Sequence, residues 1–342
     1  MPFRIIRQDI TKMDVDAIVN AANTQSKQGG GVCGAIFEGA GAQRMQEACD
    51  AIGGVETGQA VITPGFDLPA RWVIHTAGPK WQGGHNNEEE LLRASYLNSL
   101  ALAHERQLES IAFPLISSGI YGYPKDRALQ AALAAISHFL LDHEMQVYLA
   151  VFDKTAFQLS GMLFRSVTAY IDDHYARRYG RSRREWLRDS REMDELQADL
   201  PYSVDSPYHA FEYYASTAPQ PLSTDPLQHI EPETSFKQRL FELIDQRGLT
   251  DAQVYKRANL DRKLFSKIRT TEPYSPTKNT ALSFAIALRL SEAETEDLLR
   301  RAGHALSHSI RFDLIVRYFI HNRHYDIFDI NAALFEFESK TL

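Results

Sequence analysis

The stretch Asn20–Gly41, NAANTQSKQGGGVCGAIFEGAG, decides how the first half of the chain folds. Three consecutive glycines, Gly29 to Gly31, lead into a segment with helical spacing. They follow VDAIVNAA (Val15–Ala22), an almost continuous apolar run of the kind that forms a buried strand. The order is therefore strand, bare backbone, helix. Glycine lets backbone N–H groups approach a ligand closely, and a helix N-terminus favours an anion.

Further along, SIAFPLISSG reads as a strand ending in a glycine turn, SSGIYGYP (Ser117–Pro124). In an open α/β sheet, ligands lie at the carboxyl ends of the strands. Two glycine loops at such ends, facing each other, would clamp a diphosphate. The plainer reading is that the glycines only make tight turns. The chain has no Walker lysine-serine signature, and GGGVCG lacks GxGxxG spacing, so a nucleotide triphosphatase or a plain dinucleotide-binding dehydrogenase is disfavoured.

Outward from these loops, strand and helix alternate. FRIIRQDI, TGQAVITPGF, RWVIHTAGP and MQVYLAVFD read as strands. GAIFEGAGAQRMQEACDAI, NNEEELLRASYLNSLALAHERQ, PKDRALQAALAAISHFLLDH and TAFQLSGMLFRSVTAYIDDHYA read as helices, with Asn86 or Asn87 capping the second and Pro124 opening the third. The pattern predicts a layered α/β domain with a largely parallel sheet over residues 1–175. Residues 176–234 combine a charge-dense run with a Pro-rich linker, partly ordered by Tyr208, Phe211, Tyr213 and Tyr214. Residues 235–342 turn all-helical. Five short helices are opened by Thr250, Asp261 and Ser291 and closed by Gly248 and Gly303, and an apolar extension, RFDLIVRYFIHNRHYDIFDINAALFEF, packs on them.

Length and composition bound the function. The 342 residues, 44% of them hydrophobic, suit two domains or one large one, and the net charge of −7 argues against uniform coating of nucleic acid. No apolar run is long enough for a membrane span. The start lacks a signal-peptide core, and two cysteines make no disulfide framework, so a reduced cytoplasmic protein is expected. The histidines have no metal-ligand spacing; no metal and no cofactor are expected. His75, on a strand, reads as a buried, hydrogen-bonded side chain.

Taken together, QDITKMDVDAIVNAANTQSKQGGGVCGAIFEGAG, VIHTAGPKW, EEELLRASYLNSLALAHERQLESIAFPLISSGIYGYP and VYLAVFD closely resemble, in order, the motifs of a macrodomain, the ADP-ribose-binding module. The resemblance covers about the first 170 residues. It points to the branch holding mono-ADP-ribosyl hydrolases and O-acetyl-ADP-ribose deacetylases. It implies a three-layer α/β/α fold around a mixed, largely parallel sheet, and ADP-ribose or an ADP-ribosylated protein as partner. By the same resemblance, Asp9 accepts from the adenine amino group with Ile10 beside it, and Asn23 faces the distal ribose. Gly29, Gly30, Gly31 and Val32, with Ser117, Ser118, Gly119, Ile120, Tyr121 and Gly122, hold the diphosphate. Tyr121 lies against the distal ribose, and Phe152 packs on adenine. Without the resemblance, Asp9 reads as a turn or cap residue, Asn23 as a turn residue and Phe152 as core.

One position departs from the motif. After GGGV the hydrolase branch usually carries an aspartate, thought to orient or activate water; here it is Cys33. A carboxylate suits that work, whereas an ordinary thiol is mostly protonated at neutral pH and accepts hydrogen bonds poorly. Three readings stay open. The domain hydrolyses its substrate with Asn23, Tyr121 and the ligand diphosphate positioning water. Or it binds ADP-ribose without turnover. Or Cys33 is itself a nucleophile, although a small apolar wall residue is the plainer role. The candidate catalytic set is Asn23, Cys33 and Tyr121.

In the helical part, the five short helices with tight turns resemble the helix-turn-helix domain of the lambda-repressor type, with TDAQVYKRANL and DRKLFSKIRTT as the helix-turn-helix pair. The pattern of KLFSKIR and ALSFAIALRLSEAETEDLLRRAG looks like a domain attached to several kinds of bacterial proteins, which suggests a bacterial source. Arg262, Lys263, Lys267 and Arg269, with Lys256 and Arg257, give the pair a positive face suited to phosphate contact. Such domains also bind protein partners, so DNA and protein both remain candidate partners.

Overall fold

A computed structural model describes residues 2–152, 163–172 and 234–342. The charged segment and linker expected over 176–234 lie outside the described residues apart from Thr234, as do the ends of the helix expected around 155–176. The described elements belong to one compact unit, Met1–Ile171 with Phe236–Leu342.

In the first half the order is β1 (Phe3–Arg7), a single 3-10 turn (Ile10–Lys12), β2 (Ala17–Ala22), α1 (Gly31–Ala40), α2 (Ala42–Ile52), β3 (Ala60–Pro64) and β4 (Trp72–Ala77). Then come α3 (Glu88–Glu105), β5 (Ser110–Phe113), α4 (Lys125–Asp142) and β6 (Gln146–Val151). Residues 163–172 form a further helical stretch, α5. The six strands pair in the order β1-β6-β5-β2-β4-β3, and only the β3–β4 pair is antiparallel. The sheet is thus largely parallel, as the sequence pattern predicts, and mixed, as the resemblance implies. Ile18, Val19, Val73, Ile74 and Ile111 are fully buried, which explains the unbroken apolar runs: helices cover both faces of these strands.

The single helical run expected after the glycines is two helices. Gly41, at φ 88°, breaks it, because no α-helix continues through that conformation. Neither Asn86 nor Asn87 caps α3 with its side chain. Asn87 stands at the N-cap in the left-handed region, and the buried Glu88 carboxylate instead accepts from the backbone N–H groups of Gln82, Gly84 and Asn86.

The second half holds α6 (Phe236–Gln246), α7 (Asp251–Arg257), α8 (Arg262–Thr270), α9 (Lys278–Ala287), α10 (Glu292–Arg301), α11 (Arg311–His321) and α12 (Ile327–Glu336). Thr250 and Ser291 open α7 and α10 through complete capping boxes with Gln253 and Glu294, and the Asp261 carboxylate accepts from Lys263 N at the start of α8. The apolar helix α9 is buried almost throughout and forms the centre of this part. The apolar extension is the helix pair α11 and α12.

These helices dock on the sheet. β1 is an edge strand, and Asn259, in the turn between α7 and α8, closes its outer side. Phe3 N donates to Asn259 Oδ1 (2.9 Å) and Asn259 Nδ2 donates to Phe3 O (3.0 Å). The Phe3 ring meets Phe328 of α12 at 5.1 Å, the Tyr255 hydroxyl donates to Glu144, and Lys256 Nζ donates to the Leu141 carbonyl. Helix α5 packs there too, with Phe164 stacked on Phe337 and Tyr170 edge-on to Tyr318.

Candidate functional site

β1, β6, β5 and β2 are adjacent and parallel, so their carboxyl ends share one edge of the sheet. Four connections leave that edge: the turn at Gln8–Lys12, Phe152, the loop after Phe113 and the glycine loop after Ala22. They enclose a cavity of about 610 Å³.

The glycine loop is folded by Asn23. Its Oδ1 accepts from Gln25 N (3.2 Å) and Lys27 N (3.1 Å), and its Nδ2 donates to Lys27 O (2.7 Å). The loop then runs back against the first turn of α1. A Cβ on Gly34 would stand 2.6 Å from the Gly29 carbonyl oxygen, so Gly34 is what permits the close approach. Among the described residues no hydrogen bond occupies the N–H groups of Gly31, Val32 and Cys33, the orphan donors of a helix N-terminus.

The opposite loop is pinned by Tyr123 N donating to Ser117 O (3.0 Å) and Gly122 N to Gly119 O (2.9 Å). The N–H groups of Gly119, Ile120 and Tyr121 have no partner among the described residues. Ser117 takes φ 64° and is buried, and its hydroxyl also lacks a partner among the described residues. This loop presses on Gly78, where a Cβ would stand 2.2 Å from Ser117 Oγ.

Every ligand-binding candidate of the first domain lines this cavity except Gly122, and so do the catalytic candidates Asn23, Cys33 and Tyr121. Gly122 lies outside the lining, its N–H turned to Gly119. Gln8, Ala21, Ala22, Ala35, Gly78, Leu115 and Ile116 also line it and were not singled out from the sequence. Their signal is positional: most flank the strand ends whose loops were read.

The strand order gives the cavity two ends. At the β1–β6 end stand Asp9 and Phe152. One oxygen of Asp9 caps the 3-10 turn, accepting from Thr11 N (3.0 Å) and Thr11 Oγ1 (2.7 Å); the other has only Lys12 Nζ, at 3.9 Å. The Thr11 hydroxyl holds the Asp9 carboxyl below the ordinary carboxylate range, against the opposing effect of burial. Asp9 is thus both a cap and a free acceptor. Phe152 is 74% exposed, which rules out the plain core role. Ile120, 82% exposed, lies on the other side of the cleft, its Cδ1 3.6 Å from where a Cβ on Gly30 would stand.

At the β2–β5 end stand Asn23, Cys33 and Tyr121. Burial, with Cys33 in electrostatic reach, pushes the Tyr121 hydroxyl above its ordinary pKa, so at neutral pH it is a protonated donor. Cys33 is 5% exposed. Behind it runs a buried polar chain. Asn20 Nδ2 donates to Cys33 Sγ (3.6 Å) and lies 3.0 Å from His75 Nδ1, and His75 Nε2 lies 2.8 Å from Thr63 Oγ1. The Thr63 hydroxyl donates to Met45 Sδ, so the imidazole carries its proton on Nε2 and accepts from Asn20 on Nδ1. Burial pushes the His75 pKa down to about 4, which keeps it neutral. The Cys33 thiol faces the Lys27 carbonyl (3.9 Å). His75 is therefore a buried support, separated from Cys33 by an amide. Among the described residues no group of three His, Cys, Asp or Glu side chains could hold a metal.

Residues 19–132 match the family profile described as Macro domain. A macro domain-containing protein of Methanosarcina mazei is 48% identical over 153 residues, 44% of this chain and 81% of that protein. This chain belongs to the macrodomain family. The O-acetyl-ADP-ribose deacetylase of Escherichia coli K12 is 46% identical over 156 residues, 44% of this chain and 88% of that protein. A solved macrodomain of Oceanobacillus iheyensis with ADP is 41% identical, covering 44% of this chain and 84% of its own at a TM-score of 0.43. The matched residues include most of the lining of the cavity described above.

On the helical part, Arg262, Lys263 and Lys267 of α8 are exposed. Arg269 is engaged, pairing with Asp251 (2.7 Å) and lying 4.7 Å from the centre of the Phe241 ring. No helix among the described residues is long and apolar enough to cross a membrane.

Proposed function

We propose that the macrodomain cleft binds ADP-ribose and hydrolyses either the bond from the distal ribose to a protein or the acetyl ester of O-acetyl-ADP-ribose. The observation that carries this reading is the pair of loops that line one cavity and whose N–H groups on Gly31–Cys33 and Gly119–Tyr121 have no partner among the described residues. Asp9 offers its free oxygen to the adenine amino group, Ile10 lies beside the ring, and Phe152 covers it. The diphosphate takes the backbone donors of both loops, with the Ser117 hydroxyl beside them. The distal ribose then reaches Asn23 and Tyr121. Among the described residues the lining holds no carboxylate at that end, so none of them supplies a base of the usual kind there. Water is oriented by the Asn23 and Tyr121 groups and by the ligand's own diphosphate.

A second reading is favoured by Cys33: a binding module without turnover, in which the sulfur, held by Asn20, closes the wall where a carboxylate would have activated water. Single-turnover assays on a mono-ADP-ribosylated protein and on O-acetyl-ADP-ribose separate the two. Turnover by the unmodified chain, lost in Asn23→Ala, supports hydrolysis. Binding without turnover supports the module.

For the helical part, exposed Arg262, Lys263 and Lys267 support contact with nucleic-acid phosphates, the protein partner being the other outcome. Three such contacts imply a slope of about −3 in log affinity against log salt. A salt-independent association would exclude the DNA reading.

A further inference from the structure

Tyr121, at the distal-ribose end of the cleft, carries a cation on its ring: Lys80 Nζ lies 5.5 Å from the ring centre. Lys80 belongs to the connection between β4 and α3, which is fastened beside Tyr121. Trp81 N donates to Tyr121 O (2.9 Å), and the Trp81 ring meets Tyr123 edge-on at 4.7 Å. The Glu88 carboxylate gathers the N–H groups of Gln82, Gly84 and Asn86. An exposed lysine is thus held on an anchored loop.

Lys80 has no ion-pair partner among the described residues. Arg127 lies over Trp81 at 5.5 Å, near Tyr123, whose hydroxyl also feels the carboxylates of Glu88, Glu89 and Glu90. Lys27, on the glycine loop, is paired with Asp50 at 2.7 Å. Among the described residues the only carboxylate in the cleft lining, Asp9, is at the opposite end from Lys80. On the proposed reading of the cleft, a group attached to the distal ribose stands at the Tyr121 end, where this charge lies.

We propose that Lys80 is a specificity residue that favours ADP-ribose carried on acidic peptide segments over neutral or basic carriers. The inference rests on the reading of the cleft as an ADP-ribose site. An exposed charge acting over a few ångströms of water is screened by salt, so its effect is modest and ionic-strength dependent.

The test uses the full chain and two peptides of equal length, each carrying one ADP-ribose through a non-hydrolysable linkage. One is flanked by Asp and Glu, the other by Ser and Gly. Affinities are read by fluorescence anisotropy, with free ADP-ribose titrated alongside. At low ionic strength the unmodified chain prefers the acidic carrier by about threefold to fivefold, and about 0.5 M salt removes the preference. Lys80→Gln removes it at low salt, and Lys80→Glu reverses it. Free ADP-ribose binding with no carrier preference, or with the same preference in both variants, overturns the inference and leaves the cleft reading standing. Failure to bind free ADP-ribose overturns both.

Discussion

Asn259 holds both polar backbone groups of Phe3, its Oδ1 accepting from the N–H and its Nδ2 donating to the carbonyl, across 256 residues of sequence. Both residues are almost completely buried. This amide does for the edge strand what a seventh strand would do, and it ties the helical part to the start of the strand that leads into Asp9.

Replacing Asn259 with Ala removes both bonds and leaves two backbone groups buried without partners. The expected loss is about 2–4 kcal/mol of unfolding free energy. Urea unfolding followed by circular dichroism checks it; a change below about 0.5 kcal/mol would mean that water replaces the amide at no cost.

His75 makes stability fall with acid. Its folded-state pKa is depressed from the ordinary 6.5 to about 4 by burial, so the unfolded chain takes up the proton first. Above about pH 6.5 the group contributes no pH dependence. Between there and pH 4 it costs up to about 3 kcal/mol, since each pKa unit is worth about 1.4 kcal/mol. His75→Gln should lack this part of the acid slope. Equal slopes for the two proteins would show that the imidazole is accessible to protons in the folded state.

Gly34→Ala tests the close approach of loop and helix. The new methyl meets a backbone oxygen at 2.6 Å, which no side-chain rotation relieves. The glycine loop is displaced, and ADP-ribose affinity should fall by about tenfold or more, the effect of losing one to two backbone hydrogen bonds to a charged group. Unchanged affinity would mean that the loop does not hold the diphosphate.

Cys33→Asp restores a carboxylate beside Asn20, whose amide can then donate to it. Hydrolysis should rise by about 10²–10⁴-fold, the usual contribution of a positioned general base. A variant that binds ADP-ribose as before but gains no rate would show that this wall takes no part in the reaction. Cys49, whose thiol burial pushes up to about 11, should stay inert to thiol reagents in the folded protein at neutral pH.

Much of this was legible in the residues. The strands that carry the site, VDAIVNAA and SIAF above all, are apolar runs because helices cover both faces, and glycine loops mark their carboxyl ends. Asp9, Cys33 and Tyr121 came from the resemblance carried by those loops, and they line one cavity. What stayed hidden is what depends on distant partners. Nothing in RANLD distinguishes Asn259 from an ordinary turn asparagine until Phe3 is beside it. Asn20 and His75 lie 55 positions apart and meet only through β2–β4 pairing, which puts them in register. Gly41 kept the apolar spacing of a helix on both sides, so only its backbone angle reveals the break. Glu88 outcompetes the two asparagines before it because a carboxylate reaching back accepts three N–H groups at once.

The measurement that bears most directly on the central claim is titration calorimetry of the full chain with ADP-ribose. The account predicts one saturable site per chain, weakened in Gly34→Ala. A chain that is folded by circular dichroism yet gives no binding heat at any temperature tried, and no competition with a labelled ADP-ribose, would contradict it.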